Sequence, residues 1–261
     1  MTPASRPDRP GPAAAAPGRP GPAGRGRRLS DDATLAAECV RAAEDLEGAD
    51  ADTILKWAVD RYHPGLVVAS SMGDCVLVDI AARVQPGLPV LFVDTGYHFP
   101  ETIGTRDAVA ARYPVQVLTI QPTRTVAEQD AAEGPRLYER DPDRCCALRK
   151  VTPFEVALGR FTAWASGVRR EETSARAGTR VIEWDRKRRM VKVNPLATWT
   201  QDDVDRYIAD HDVLVNPLLY DGYPSIGCAP CTRRVAPGED PRSGRWSGTG
   251  KVECGLNLGE D

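Results

Sequence analysis

Short runs of uninterrupted apolar residues, each followed by a stretch of helical spacing, restrict what this chain can fold into. "LVVAS" (66–70) precedes "DCVLVDIAARV" (74–84), "PVLFVD" (89–94) precedes "ETIGTRDAVAARY" (101–113), and "VQVLTI" (115–120) precedes "TVAEQDAAE" (125–133). A strand that is apolar at successive positions has two buried faces, and alternation with helices supplies the cover. The expected class is α/β, a parallel sheet in a three-layer α/β/α arrangement. "FTAWASG" (161–167) reads as a further inner strand. "TQDDVDRYIAD" (200–210) reads as a helix capped by Thr200, with Asp203 at the capping-box position. Upstream, Ser30 before Asp31 and Asp32 can cap a helix carrying Leu35, Cys39, Val40, Ala43 and Leu46 on one side. A second helix, through Ile54, Leu55, Ala58, Val59 and Tyr62, ends before Pro64 and Gly65.

Residues 1–29 are rich in Pro, Gly, Ala and Arg with almost nothing to bury, and are expected to form a disordered tail. The main domain is expected over 30–235, and 236–261 reads as a mobile, Gly-rich C-terminal segment. With 34 Lys and Arg against 37 Asp and Glu, the chain has no basic excess, which argues against a nucleic-acid or membrane footprint. No apolar run approaches the roughly 20 residues of a membrane span, and the N-terminus carries no signal-peptide core. The expected location is cytoplasmic, where clustered cysteines more often hold metal or do chemistry than form disulfides.

In an open parallel sheet, ligands bind at the carboxyl ends of the strands. Three segments fall there. "SSMGD" supplies Ser70, Ser71, Gly73 and Asp74 before a helix N-terminus, a natural anion site, although it matches neither a Walker A loop nor G-x-G-x-x-G. Asp74 also reads simply as a helix-start residue. "DTG" (Asp94, Thr95, Gly96) repeats the geometry one strand later, and "SGVRREETSAR" adds the guanidinium groups of Arg169 and Arg176. Loops converging on one sheet edge suit a small polyanion.

The chain has seven cysteines and three histidines. Cys145 and Cys146 stand side by side in "RCCALRK". Their Cα atoms lie about 3.8 Å apart, short of the roughly 5.5–6 Å of a disulfide, so each looks to partners elsewhere. "GCAPC" offers Cys228 and Cys231. Two such pairs give four thiolates, suited to zinc or a [4Fe–4S] cluster; ligand type alone leaves that choice open. Cys254, in "KVECGLNL", follows a Gly-rich run containing Arg242, Arg245 and Lys251. Cations lower a thiol's pKa and favour the attacking thiolate, while Glu253 acts the other way. Cys39 and Cys75 read as core residues.

Together, "CCALRK", "GCAPCTR", "GRW" and "KVECGL", with "SSMGD", "DTGYHFPET" and "VNPLATWT", resemble the assimilatory adenylylsulfate reductases. These are thioredoxin-dependent members of the PAPS/APS reductase family with a PP-loop (adenine nucleotide α-hydrolase-like) fold. The resemblance runs from about residue 35 to 258. It implies an oxidoreductase acting on a sulfur group, which reduces adenylylsulfate to sulfite and AMP in sulfate assimilation and cysteine biosynthesis. It further implies a Cys254 S-sulfo intermediate, thioredoxin as electron donor, and Cys145, Cys146, Cys228 and Cys231 as ligands of a [4Fe–4S] cluster. Relatives acting on 3′-phosphoadenylylsulfate share E-C-G-L but lack both cysteine pairs. By the same resemblance, Ser70, Ser71, Gly73 and Asp74 form the phosphate-loop equivalent. Asp94, Thr95 and Gly96 lie by the nucleoside. Lys150 bridges cluster and substrate, and Arg169, Arg176, Arg242 and Arg245 face the phosphosulfate. One departure stands out: the family usually has His after E-C-G-L, and here the residue is Asn257. A carboxamide can hydrogen-bond but cannot carry a proton near neutral pH. Competing readings are a PP-loop tRNA-thiolating enzyme with a cluster, a PAPS reductase, and a non-catalytic zinc- or cluster-binding module. The first expects a basic surface and an intact S-G-G-x-D-S loop, and this chain has neither. Whether the chain forms a homo-oligomer stays open.

Overall fold

A computed structural model describes the backbone of residues 25–251 and 253–256, and the side chains of that span from residue 32. Residues 1–24 of the expected tail, and Asn257, lie outside the described residues. Two helices, α1 (Arg25–Leu46) and α2 (Ala51–Tyr62), open the described chain. Ser30 lies within α1, because the helix extends upstream through arginines, which are good helix formers. Asp50 caps α2, accepting the Thr53 N–H at 2.7 Å.

The alternation then follows: β1 (Leu66–Ala69), α3 (Val76–Val84), β2 (Pro89–Val93), α4 (Pro100–Arg112), β3 (Gln116–Ile120) and α5 (Val126–Glu133). Short helices α6 (Leu137–Arg140) and α7 (Pro142–Cys146) lead into a π turn, Ala147–Val151, and then α8 (Thr152–Leu158). The chain returns as β4 (Ala163–Ser166), turns through the hairpin β5 (Ile182–Asp185) and β6 (Met190–Val193), and reaches α9 (Gln201–His211). Thr200 and Asp203 form the expected capping box on α9.

The six-stranded sheet has the order β3-β2-β1-β4-β6-β5. Every pairing is parallel except β5 with β6, so the sheet carries one antiparallel edge strand beyond the expected parallel set. Strand order reverses at β1, which pairs β2 on one side and β4 on the other, and a crevice opens where the connections diverge. Successive β1 side chains enter opposite layers. Leu66 and Val68 join Ile54, Ile80 and Val90 in one core, while Val67 joins Leu91, Phe154, Leu158 and Trp164 in the other. Each such fully buried aliphatic side chain contributes about 1.5–3 kcal/mol. Phe154 meets Trp164 edge-to-face at 5.4 Å and so ties α8 to β4. Among the described residues no helix is long and apolar enough to cross a membrane.

Candidate active site

The loop from β1 into α3 is built under constraint. Met72 and Cys75 adopt left-handed backbone conformations, with φ of 57° and 55°, which non-glycine residues rarely do outside functional loops. The loop is held from within and from below. Ser70 Oγ accepts the Met72 N–H at 3.1 Å, and Asp74 Oδ1 accepts the Val76 N–H at 3.0 Å. The fully buried Asn216 donates its side-chain amide to Met72 O and Thr102 Oγ1, each at 3.1 Å, and its backbone N–H to Gly73 O at 2.8 Å. Sequence reasoning passed over Asn216. Its only signal was an Asn-Pro turn.

Beside this loop, at the carboxyl ends of β1, β2 and β4, lies a cavity of about 280 Å³. Ser70, Ser71, Gly73 and Asp74 all line it. So do four cations, Lys150, Arg176, Arg242 and Arg245, and the half-buried thiol of Cys254. The sequence-predicted phosphate loop, most of the predicted cations and the predicted nucleophile therefore share one wall system. Ser225 joins them, accepting from Arg242 Nη1 at 3.3 Å and Arg245 Nη1 at 3.2 Å. Gly227 lets Arg245 pass: a Cβ there would lie 2.5 Å from the guanidinium carbon.

Other predicted residues lie outside this wall. Arg169 is buried but does not line the cavity; its Nη2 donates to Gln201 Oε1 of α9 at 2.7 Å. Asp94 closes its own turn, accepting from the Gly96 N–H at 2.9 Å and from Gln121 Nε2 at 3.2 Å. Gly96 has φ of 75°, and a Cβ there would press on Arg149 at 3.0 Å. Thr95 turns away from the cavity, and its Oγ1 meets Cys228 Sγ at 3.2 Å.

Thr95 belongs to a second, smaller cavity, on which Cys145, Cys146, Cys228 and Cys231 converge, with Lys150 and Arg245 shared between the two. Residues far apart in sequence meet because the loop after β2 pairs with the second cysteine loop: His98 forms a bridge to Cys228, and Ala229 N–H donates to Tyr97 O at 2.7 Å. Burial pushes the Cys145 thiol up to about 11 and Cys231 up to about 12, and neighbouring thiols add to both shifts. Four thiolates here therefore need a compensating cation. The surround is rich in unmatched donors. Tyr97 Oη and Arg245 Nε line this cavity, buried without a hydrogen-bond partner. The buried Gln129 amide nitrogen is likewise unpartnered. Buried donors without acceptors are costly, and a thiolate-held, sulfur-rich anionic group would satisfy them. The donor set thus fits such a group. Among the described residues, no three Cys, His, Asp or Glu side chains stand close enough to share one metal ion.

Charges in the main cavity are strongly coupled. The nearby Cys254 sulfur raises the Lys150 pKa, outweighing the effect of burial. Burial lowers that of Arg245, with Arg242 adding repulsion. Burial raises the Asp74 carboxyl. Burial is the largest single influence on Glu253 and would raise it, but the Arg176 hydrogen bonds, the Cys254 N–H and the charges of Arg176 and Arg242 together outweigh it and hold the carboxyl below the usual carboxylate range. Glu253 is the residue whose role the sequence disguised. Read as a charge opposing thiolate formation, it is instead paired with two of the arginines.

A family model described as "Phosphoadenosine phosphosulfate reductase domain" matches residues 65–234. The "Adenosine 5'-phosphosulfate reductase" of Streptomyces coelicolor is 56% identical over 223 residues, covering 85% of this chain and 94% of that protein. The protein of the same name from Mycolicibacterium smegmatis is 54% identical over 218 residues, covering 84% and 92%. Among solved structures, the phosphate complex of phosphoadenylyl-sulfate reductase from Candida auris is similar with a TM-score of 0.64 and 29% identity, covering 76% of this chain and 96% of that one. FMN adenylyltransferase from Candida glabrata, with a TM-score of 0.52 and 14% identity over 76% of this chain and 66% of its own, shares the fold alone.

Proposed function

The chain belongs to the phosphoadenosine phosphosulfate reductase domain family, and from that premise we propose that it reduces adenylylsulfate to sulfite and AMP. One observation carries the reading: the Cys254 thiol and the cations Lys150, Arg242 and Arg245 line the same cavity as the Ser70–Asp74 loop. A nucleophilic sulfur beside a cationic anion site suits attack on a sulfuryl group carried by a phosphate. Adenylylsulfate is favoured over its 3′-phosphorylated form by the names of the relatives above 50% identity and by the presence of both cysteine pairs.

In this reading the Cys254 thiolate forms a bond to the sulfuryl sulfur as the sulfur–oxygen bond to phosphate breaks. AMP leaves with the electron pair, and Cys254 carries a thiosulfonate, Cys–S–SO₃⁻. Arg245 and Lys150, already in place, stabilise charge growing on the leaving phosphate. A thioredoxin thiolate then attacks Cys254 Sγ, sulfite departs with the electrons of the sulfur–sulfur bond, and the second thioredoxin thiol resolves the mixed disulfide. Cys145, Cys146, Cys228 and Cys231 would hold a [4Fe–4S] cluster, supported by the convergence of four thiols and the unmatched donors around them. When bound, such a cluster supplies a fixed charge beside Lys150. Residues 236–261 act as a segment that brings Cys254 to the substrate and then to thioredoxin.

Mass spectrometry of anaerobic enzyme with adenylylsulfate, without thioredoxin, tests the route. A sulfonate adduct on Cys254 is expected; AMP release with Cys254 unmodified would refute it. Parallel assays with the 3′-phosphorylated substrate test the runner-up, PAPS reduction.

A further inference from the structure

The cations of the cavity are not equivalent. Arg176 binds Glu253 through two parallel hydrogen bonds, Nε to Oε2 and Nη2 to Oε1, each 2.7 Å. Both side chains are almost fully buried, at 9% and 3% exposure. Arg242 Nη2 adds a third contact to Glu253 Oε1 at 3.3 Å. The same oxygen accepts the backbone N–H of Cys254 at 2.8 Å. Arg176 is also paired with Glu172. By contrast, Lys150 and Arg245 have no carboxylate partner among the described ion pairs, although both line the cavity.

We propose that Glu253 is a positioning residue: it latches the C-terminal segment onto Arg176 and so holds Cys254 over the substrate cavity, which leaves Arg176 serving the tail and not the substrate. The proposal rests on the reductase reading of Cys254. A bidentate carboxylate–guanidinium pair fixes direction as well as distance, and a shared carboxylate oxygen passes that constraint to the Cys254 backbone one residue away. Two neighbours complete the attachment. Leu256 packs on the apolar cluster of Phe154 and Leu158, and Lys251 pairs with Asp143 of α7. The phosphosulfate group then falls to the unpaired cations, Lys150 and Arg245, with Arg242 shared. The latch also explains how Cys254 can be surrendered to a protein reductant: opening it breaks the Glu253 ion-pair cluster and the Lys251–Asp143 pair and withdraws one leucine, and the sheet is untouched.

Iodoacetamide labelling of Cys254 in anaerobic holoenzyme without substrate, read by peptide mapping, measures how often the tail opens. Glu253→Gln is expected to raise the labelling rate on the order of tenfold or more, since it breaks a buried ion pair. An unchanged rate overturns the latch. On a Cys254→Ser background, Arg176→Gln is expected to leave adenylylsulfate affinity within about twofold, because the partners removed are those of the tail. A loss of about tenfold or more makes Arg176 a substrate contact and overturns the assignment. In single turnover at saturating adenylylsulfate, Glu253→Gln is expected to slow adduct formation about tenfold with binding unchanged, the signature of lost positioning. If the Cys254→Ser parent binds no adenylylsulfate, the reductase reading fails, and the labelling experiment alone still decides the latch.

Discussion

Gly227→Ala offers a test of how the cavity is furnished. The φ of Gly227 lies outside the left-handed range, so alanine meets no backbone penalty. The obstacle is Arg245: the added Cβ would sit 2.5 Å from its guanidinium carbon and 2.9 Å from its Nε. Relaxed carbon contacts are about 3.5–4.0 Å, so the guanidinium must move by about 1 Å. Because the obstructing atoms end a flexible side chain, the stability loss should fall at the low end of the ~1–3 kcal/mol seen for overpacking. For a domain of this size that is a fall in Tm of about 2–4 °C. The functional loss should be larger. Arg245 surrenders hydrogen bonds to Ser225 Oγ and Ile226 O, both 3.2 Å, which fix where its charge points. A charge-assisted hydrogen bond to a bound anion is worth about 1.5–3 kcal/mol, so affinity for adenylylsulfate should fall roughly 10- to 150-fold. Titration calorimetry on the Cys254→Ser background, beside a thermal melt, measures both. Unchanged affinity in a normally folded variant would refute the assignment of Arg245 to the substrate anion.

Further outcomes follow from the same site. Lys150→Ala should cut turnover on the order of a hundredfold with iron content near normal; loss of iron would instead make Lys150 structural. Cys231→Ser should lower both iron and acid-labile sulfide in anaerobically purified protein, and unchanged content would remove Cys231 from the ligand set. Asp74→Asn should stabilise the fold at neutral pH. Burial raises the folded-state pKa above the ordinary 3.8, so ionised Asp74 destabilises the fold once pH rises through that interval, and the amide escapes this cost. Denaturant melts should show the advantage vanishing below about pH 3.8, where the wild-type carboxyl is protonated whether folded or not. An advantage that persists in acid would point to packing as its cause.

The inner strands were legible because burial on both faces leaves an uninterrupted apolar run, as in "PVLFV" of β2. The β5–β6 hairpin was not. "IEWD" and "MVKV" interleave charges, and these are satisfied only by tertiary partners: Lys192 lies 3.2 Å from Glu183 across the hairpin and 5.3 Å from the Trp164 ring. The capping box at Thr200 was readable because it is local. The four-thiol convergence was readable from residue type, since few other arrangements explain an adjacent pair and a C-x-x-C in one chain. Direction was what sequence withheld. Thr95 and Arg169 were correctly placed at the strand ends, yet whether a side chain points at a ligand or at a neighbour depends on the partners folding brings. Arg169 met Gln201, and Thr95 met Cys228. Glu253 shows the same limit: its charge was visible and its two guanidinium partners were not.

The π turn at Ala147–Val151 sets how this stretch of chain can vary. Its bonding, with Thr152 N–H reaching back to Ala147 O, is that of an α-helix holding one surplus residue. The surplus lies between the cysteine doublet and α8, which is anchored in the core through Phe154 and Leu158. Removing one residue would let ordinary helical bonding resume, but at the expense of turning Cys145 and Cys146 by about 100° relative to that anchor. Side chains such as Ala147 and Leu148 can therefore change with little consequence, whereas the number of residues between doublet and core cannot. In this segment the residue count is constrained alongside the identities of Arg149 and Lys150.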